Sequence, residues 1–178
     1  LVAYLVAAEG EVLDVAKLAR ATYKQDDVNW EAIQKPFTLL SSLDRAKLLV
    51  IPTTSGSGSE VSPVSVIVDI KSHIKLPIVS ENLIPDVVIL DPKITVNLPL
   101  DITLCSALDA FTHAFESYCS SLHNPMSDIY ALSAGRMIVE KLELVIKAPN
   151  DVQAREVLLY AALLAGYAQS TTSVGAKI

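Results

Sequence analysis

Leu1 to Ala8 is an unbroken apolar run of strand length, the pattern of a parallel-sheet strand covered on both faces. Glu9-Gly10-Glu11 interrupts it, and from Val12 to Ala21 apolar residues return at helical spacing. Strand, glycine turn and helix in that order are the layout of a phosphate cradle, where backbone N–H groups and the helix dipole meet an anion, and equally of an ordinary strand-to-helix turn. Tyr23 to Ala46 is more polar and less periodic, with a short helix expected at Asn29–Ile33 ending at Lys35-Pro36. Lys47 to Pro52 reads as the next strand, and Thr53 to Ser62 as a loop of glycines and hydroxyls. Alternation from Val61 to Asp69, a turn at Asp69–Ser72 and a run from Ile74 to Val79 predict a hairpin at the sheet edge, where Pro77 is tolerated. Val87 to Leu90 is expected to be a buried strand closed by Asp91-Pro92, and Ile94 to Leu98 leads to Pro99.

Beyond Pro99 the period changes to helical. Asp101 is expected to cap a helix whose body is Thr103–Ser120, Pro125 to start a second running to about Ile146, and Asp151 to cap a third. Val152, Val157, Leu158, Ala161, Ala162, Leu164 and Ala165 leave that last helix almost no polar face, so it belongs inside something. The expected fold class is therefore α/β, with strands and helices alternating over 1–98 and helices alone over 99–178.

Composition narrows the partners. A chain of 178 residues suffices for one sizeable core or parts of two domains, and 51% hydrophobic residues exceeds the usual share, a surplus that calls for a partner surface such as a homo-oligomer. The net charge of −6 argues against nucleic acid and against an anionic membrane surface. Leu1–Ala8 and Val157–Ala168 are each too short to span a bilayer. Cys105 and Cys119, without a C-x-x-C, read as buried thiols of a reducing compartment, so a cytoplasmic location is expected. The first residue is Leu, which implies a longer natural polypeptide.

The chemistry gathers at Asp109 and His113, four residues apart in a segment free of Gly and Pro. On a helix they share a face, so a carboxylate oxygen and an imidazole nitrogen can converge on one divalent cation. A surface Asp/His pair, or a core histidine hydrogen-bonded to Asp109, has the same spacing.

The neighbouring words add to this. Pro52-Thr53-Thr54-Ser55-Gly56-Ser57-Gly58-Ser59-Glu60-Val61, Pro85-Asp86-Val87-Val88-Ile89-Leu90-Asp91-Pro92 and Asp109-Ala110-Phe111-Thr112-His113 stand in order along the chain. Together they resemble the iron-dependent (group III) alcohol dehydrogenases, with their P-T-T-x-G-T-G-S-E-V loop, P-D-x-x-x-x-D-P strand and D-A-x-T-H helix. The resemblance covers nearly all of the chain but about half of such an enzyme, and it implies the late part of a Rossmann-like dinucleotide-binding domain over 1–98 and the first helices of an all-α metal-binding domain over 99–178. It implies hydride transfer between a primary alcohol or aldehyde and NAD or NADP, with Fe2+, or Zn2+ as the alternative. Asp109 and His113 would be metal ligands, and Gly10, Asp14, Thr53, Thr54, Ser62, Lys75 and Leu98 would meet the cofactor. Glu116, one turn after His113, would either orient the ligand shell or serve as a solvent-facing or capping residue, the second being the expectation.

This sequence departs from the family at two places. Ala8-Glu9-Gly10-Glu11 replaces G-G-G-S at the first turn, although Asp14 to Lys17 fits the D-x-A-K that follows. Counting from Ala165-Gly166 places the third metal ligand at Ile178, which offers no donor, and the fourth outside the sequence. His73 and His123 match neither position and are expected to be exposed loop residues. The rival reading is a non-catalytic relative acting as a binding or structural module; a zinc-dependent lyase of the dehydroquinate synthase type fits the Thr53–Ser62 loop less well.

Overall fold

The computed structural model describes residues 3–8, 10–23, 46–70 and 73–172; the helix expected at 29–33 and the residue Ile178 lie outside them. Three parallel strands form the first layer: β1 (Ala3–Ala8), β2 (Lys47–Pro52) and β5 (Val87–Val88), in the order β1-β2-β5, with Ala3 to Ala8 in register with Lys47 to Pro52. Helix α1 (Gly10–Ala21) follows β1 and lays Leu13 on Leu48 and Val50, both fully buried.

Strands β3 (Val64–Asp69) and β4 (Ile74–Val79) pair antiparallel as expected, with His73 at their turn in the left-handed region at φ 55°. They form a sheet of their own rather than an edge of the parallel one. The reason is that β3 is fastened to α1: Val66 N–H donates to Asp14 Oδ2 and the Ser65 hydroxyl to the Asp14 carbonyl. β5 is shorter and less buried than expected. Val87 and Ile89 are exposed on one face of the sheet, while Val88 between them packs on the opposite face against the Leu13, Leu48 and Val50 cluster. Its start is set by Asp86, whose carboxylate takes Arg20, Lys47 and the Leu48 N–H. Burial pushes that carboxyl up, but the hydrogen bonds from Lys47 and Leu48 and the Arg20 and Lys47 charges outweigh it and hold it below the ordinary aspartate range.

A one-turn helix α2 (Pro92–Thr95), capped by Asp91, leads to three long helices: α3 (Leu100–Cys119), α4 (Pro125–Lys147) and α5 (Val152–Thr172). Asp101 sits in the first turn of α3, where its charge suits the dipole, but Pro99 occupies the capping position with no side-chain cap. Asn124 caps α4 in a reciprocal box with Ser127, with Pro125 at the first helical position. Asp151 caps α5 through the Ala154 N–H at 3.0 Å.

The helices meet along alanines: Ala107, Ala110 and Ala114 of α3, Ala131 and Ala134 of α4, and Ala154, Ala161, Ala162, Ala165 and Ala168 of α5, all fully buried. Short side chains let three backbones approach closely, and α5, apolar on nearly every side, packs against both others. Its Tyr160 and Tyr167 nevertheless stay exposed. So do Cys105 and Cys119, against expectation: fourteen residues is close to four helical turns, so both ride the outward face of α3. A groove of about 460 Å3 lies between α3 and α4, lined by the exposed Phe111, Phe115, Tyr118, Leu132 and Val139. No helix among the described residues is long and apolar enough to cross a membrane.

Candidate functional site

The loop after β2 begins at the carboxyl edge of the parallel sheet, the side on which such sheets bind ligands. Thr53 N–H donates to the Ala8 carbonyl at 3.1 Å, which extends the β1–β2 ladder by one bond and brings the loop to the start of α1. There the two segments touch: a Cβ on Gly10 would lie 3.2 Å from Ser57 Oγ. Gly10, Thr53 and Thr54 are half-buried around this edge.

Two glycines then let the loop pass between elements. A Cβ on Gly56 would lie 3.0 Å from the Cα of Ser106 on α3. Gly58, at φ 64°, lies so close to α5 that a Cβ would stand 2.6 Å from the Gly166 Cα. Only glycine combines that backbone angle with that approach. Past Gly58 the chain makes a 3-10 turn at Ser59–Val61 before entering β3.

Behind the loop lies a buried polar network. The Ser59 hydroxyl donates to Asp14 Oδ1 at 2.7 Å and accepts from Lys17 Nζ at 2.8 Å; Lys17 also donates to the carbonyls of Ser62 at 3.1 Å and Val64 at 2.8 Å. Asp14 and Ser62, both expected to meet a cofactor, are thus absorbed by the fold. The two Asp14 oxygens take Ser59 and Val66, and the Ser62 hydroxyl accepts the Val64 N–H at 3.0 Å. Glu60, fully buried beside them, has its carboxyl pushed up by burial despite its own backbone N–H and the Lys17 charge. It borders a cleft of about 450 Å3 with Val61, Asp86, Val88, Leu90, Tyr160 and Tyr167.

Lys75 stands exposed on β4, opposite Val68. Leu98 is half-buried and gives its carbonyl to Arg155 Nη2 at 3.3 Å. Arg155, fully buried, also donates to the Pro149 carbonyl at 2.6 Å and Thr103 Oγ1 at 3.2 Å, so it ties the entry of α3 to α5; its burial lowers the guanidinium from its ordinary value. Lys17, Gly166 and Arg155 were not singled out as site-building residues from the sequence. The signal for Lys17 was its i,i+3 spacing to Asp14, between Leu13 and Leu18 on the inward side of α1.

On α3, Asp109 and His113 share a face, with Nε2 and Oδ1 3.5 Å apart. That is too long for a good hydrogen bond and near the edge of a tetrahedron about a cation with ~2.1 Å bonds, roughly 3.4 Å. The Asp109 side chain is 50% exposed and that of His113 17%, so the pair can be reached from solvent. His113 Nδ1 is buried and meets no hydrogen-bond partner among the described residues. The donor types fit Fe2+ or Zn2+, but among the described residues no third His, Cys, Asp or Glu joins them. What stands here is two donors of a larger set. Glu116, one turn on, is exposed. His123 lies away from the pair, exposed and bonded to Asp128 at 3.1 Å.

Residues 9–92 match the family model described as iron-containing alcohol dehydrogenase, and residues 103–177 match that of the Fe-containing alcohol dehydrogenase family, C-terminal. An NADPH-dependent butanol dehydrogenase of Clostridium saccharobutylicum is 38% identical over 167 residues, covering 93% of this chain and 42% of that protein. The crystal structure of sulfoacetaldehyde reductase from Bifidobacterium kashiwanohense in complex with NAD+ superposes with a TM-score of 0.85 at 30% identity, over 94% of this chain and 44% of that one. A 1,3-propanediol oxidoreductase gives 0.90 at 30% identity, over 97% and 44%. The chain spans about two fifths of the length of the curated relatives it matches.

Proposed function

The chain belongs to the iron-containing alcohol dehydrogenase family, and we propose that it forms the cofactor loop and part of the metal face of an NAD(P)-dependent oxidoreductase acting on a primary alcohol or aldehyde. The observation that carries this reading is the course of Thr53–Ser62, which starts at the carboxyl edge of the parallel sheet, meets the start of α1 at Gly10 and packs at Gly56 on the helix that bears Asp109 and His113. One loop thereby links a dinucleotide crevice to a metal-binding helix.

In this reading residues 1–98 are the later part of the dinucleotide-binding domain and residues 99–178 the beginning of the all-α metal-binding domain. Gly10, Thr53 and Thr54 contribute an unhindered backbone and hydroxyls at the sheet edge; Lys75 and Leu98 are the outlying contacts. Asp109 and His113 would be the residues of this chain that hold Fe2+, or Zn2+ in its place. When bound, the ion supplies Lewis-acid polarisation of the alcohol oxygen and the nicotinamide supplies the hydride acceptor. Everything else this chain does is positioning: the buried network fixes the loop, and the alanine seam fixes α3 against α5. A cytoplasmic location fits the two free cysteines, and self-association fits the apolar groove between α3 and α4.

The test is titration of the protein with NADH and NADPH, followed by nucleotide fluorescence, and then alcohol-dependent NAD+ or NADP+ reduction with Fe2+ added. Binding of either nucleotide together with metal-stimulated turnover supports the enzyme. Nucleotide binding without turnover supports the second reading, a non-catalytic binding module, favoured by the two-donor metal face. Binding of neither nucleotide overturns the cofactor assignment.

A further inference from the structure

Lys17 is the point at which the cofactor loop is fastened to α1. Its side chain is fully buried, and its three short contacts come from both sides of one turn: Ser59 Oγ, the Ser62 carbonyl and the Val64 carbonyl. Three acceptors converging on one point need three donors on one atom, which an ammonium has and a neutral amine lacks. A guanidinium spreads its donors over a planar fork and does not substitute. Ser59 passes the hold on to Asp14, so the loop is bound at Thr53 by the sheet ladder and at Ser59–Val64 by α1.

We propose that Lys17 is a positioning residue for dinucleotide binding: its fully protonated Nζ keeps the Thr53–Ser62 loop in the shape that presents its amides and hydroxyls to the cofactor. This role rests on the dinucleotide reading above. Lys17 touches no cofactor itself; it acts through Ser59 and the carbonyls of Ser62 and Val64.

The surroundings make that hold sensitive to pH. Burial pushes the Lys17 ammonium down from its ordinary 10.5 to about 8, against the attraction of Asp14 and Glu60 and with the repulsion of Arg20. Those are the charged groups facing it: Asp14 and Arg20 on α1, and Glu60 on the loop. Above about pH 8 the amine keeps two N–H donors for three acceptors, and one end of the loop is released. Global stability moves the other way. An amine whose folded value lies below its unfolded one holds fewer protons when folded, so this group favours folding as pH rises from about 8 toward 10.5. Cofactor affinity that falls in this window therefore reports the loop, not unfolding.

The experiment is fluorescence titration with NADH and NADPH of the wild-type protein, Lys17→Met and Ser59→Ala, from about pH 7 to about pH 9.5, with thermal melts alongside. The wild-type dissociation constant should be flat up to about pH 8 and then rise roughly tenfold, while the melting temperature does not drop in step. Lys17→Met should bind roughly tenfold more weakly at pH 7 and show no break. Ser59→Ala, which keeps both carbonyl contacts of Lys17, should fold, bind about threefold more weakly and retain the break. Wild-type affinity independent of pH overturns the proposal. So does Lys17→Met, or Ser59→Ala where Lys17→Met does not fold, with wild-type affinity. A wild-type protein that binds neither nucleotide at any pH overturns the dinucleotide reading and this role with it.

Discussion

At Ser59 every polar atom meets another part of the protein: the hydroxyl serves Lys17 and Asp14, the N–H reaches Ser57 and the carbonyl takes the Ser62 N–H. At His113 one ring nitrogen is buried and unmet, and the other looks 3.5 Å across to a half-exposed Asp109. The first region is finished by contacts within the described residues; the second presents donors and waits for more. A buried network of this kind acts through shape, so damage to it should appear as lost stability. An open pair acts through its free lone pairs, so damage to it should appear as lost ligand and leave the fold alone.

The sharpest way to break that contrast is at Gly58. Gly58→Ala places a methyl 2.6 Å from a backbone carbon of α5 at a residue whose φ is 64°, and neither backbone can give way. We expect a loss of about 3 kcal/mol in urea unfolding, from overpacking plus left-handed strain. Gly166→Ala makes the reciprocal contact, 2.9 Å from the Gly58 Cα, but gains helix propensity worth about 1 kcal/mol, so it should lose less. A Gly58→Ala protein within 1 kcal/mol of wild type, roughly the size of the propensity term itself, would show that the loop is not held where it is described. Asp14→Ala should come next, at about 2 kcal/mol, because it leaves the Ser59 hydroxyl and the Val66 N–H buried without their acceptor.

On the other side of the comparison, His113→Ala and Asp109→Ala should each weaken Fe2+ or Zn2+ binding by at least about tenfold, read by calorimetry, while unfolding stays within about 0.5 kcal/mol of wild type. Metal affinity unchanged in both variants would make the pair a structural feature of α3. A large stability loss without a change in metal would exchange the roles assigned to the two regions.

Local pattern decides what could be read from the sequence alone. Pro125 announced the start of α4 because its preference for the first helical turn is local, and Lys47–Pro52 announced β2 because a buried parallel strand is a continuous apolar run. The hairpin was legible as two strands, but not as a separate sheet, because the hydrogen bonds from Val66 and Ser65 to Asp14 join segments some fifty residues apart. For the same reason the bonds that Ser59 and Val66 make to the two Asp14 oxygens left no mark in the local pattern. Lys17 was legible only as the end of the Asp14–Lys17 match, since a pattern of polar and apolar letters does not show what its ammonium meets. The cysteines failed in the opposite sense: cysteine is a mostly buried residue type, and its place on the outer face of α3 depends on which side α5 covers. At the candidate site, the i,i+4 spacing of Asp109 and His113 was visible because a helix fixes it; the burial of His113 Nδ1 is tertiary and left no mark in the local sequence.

The smallest expected effect tests how far the metal face extends along α3. Glu116 lies one turn beyond His113 and is exposed, so water already solvates its carboxylate and nothing holds it against the imidazole. An exposed carboxylate about a helical turn away contributes a screened attraction for a cation and little more. Glu116→Gln keeps the size and removes the charge. We expect metal affinity to change by less than about threefold and unfolding by less than about 0.5 kcal/mol. A loss as large as that of His113→Ala would mean that Glu116 swings in when the ion binds and completes the face from within the same helix. The two-donor description of α3 would then give way to a three-donor one, and the contrast with the closed loop around Ser59 would shrink accordingly.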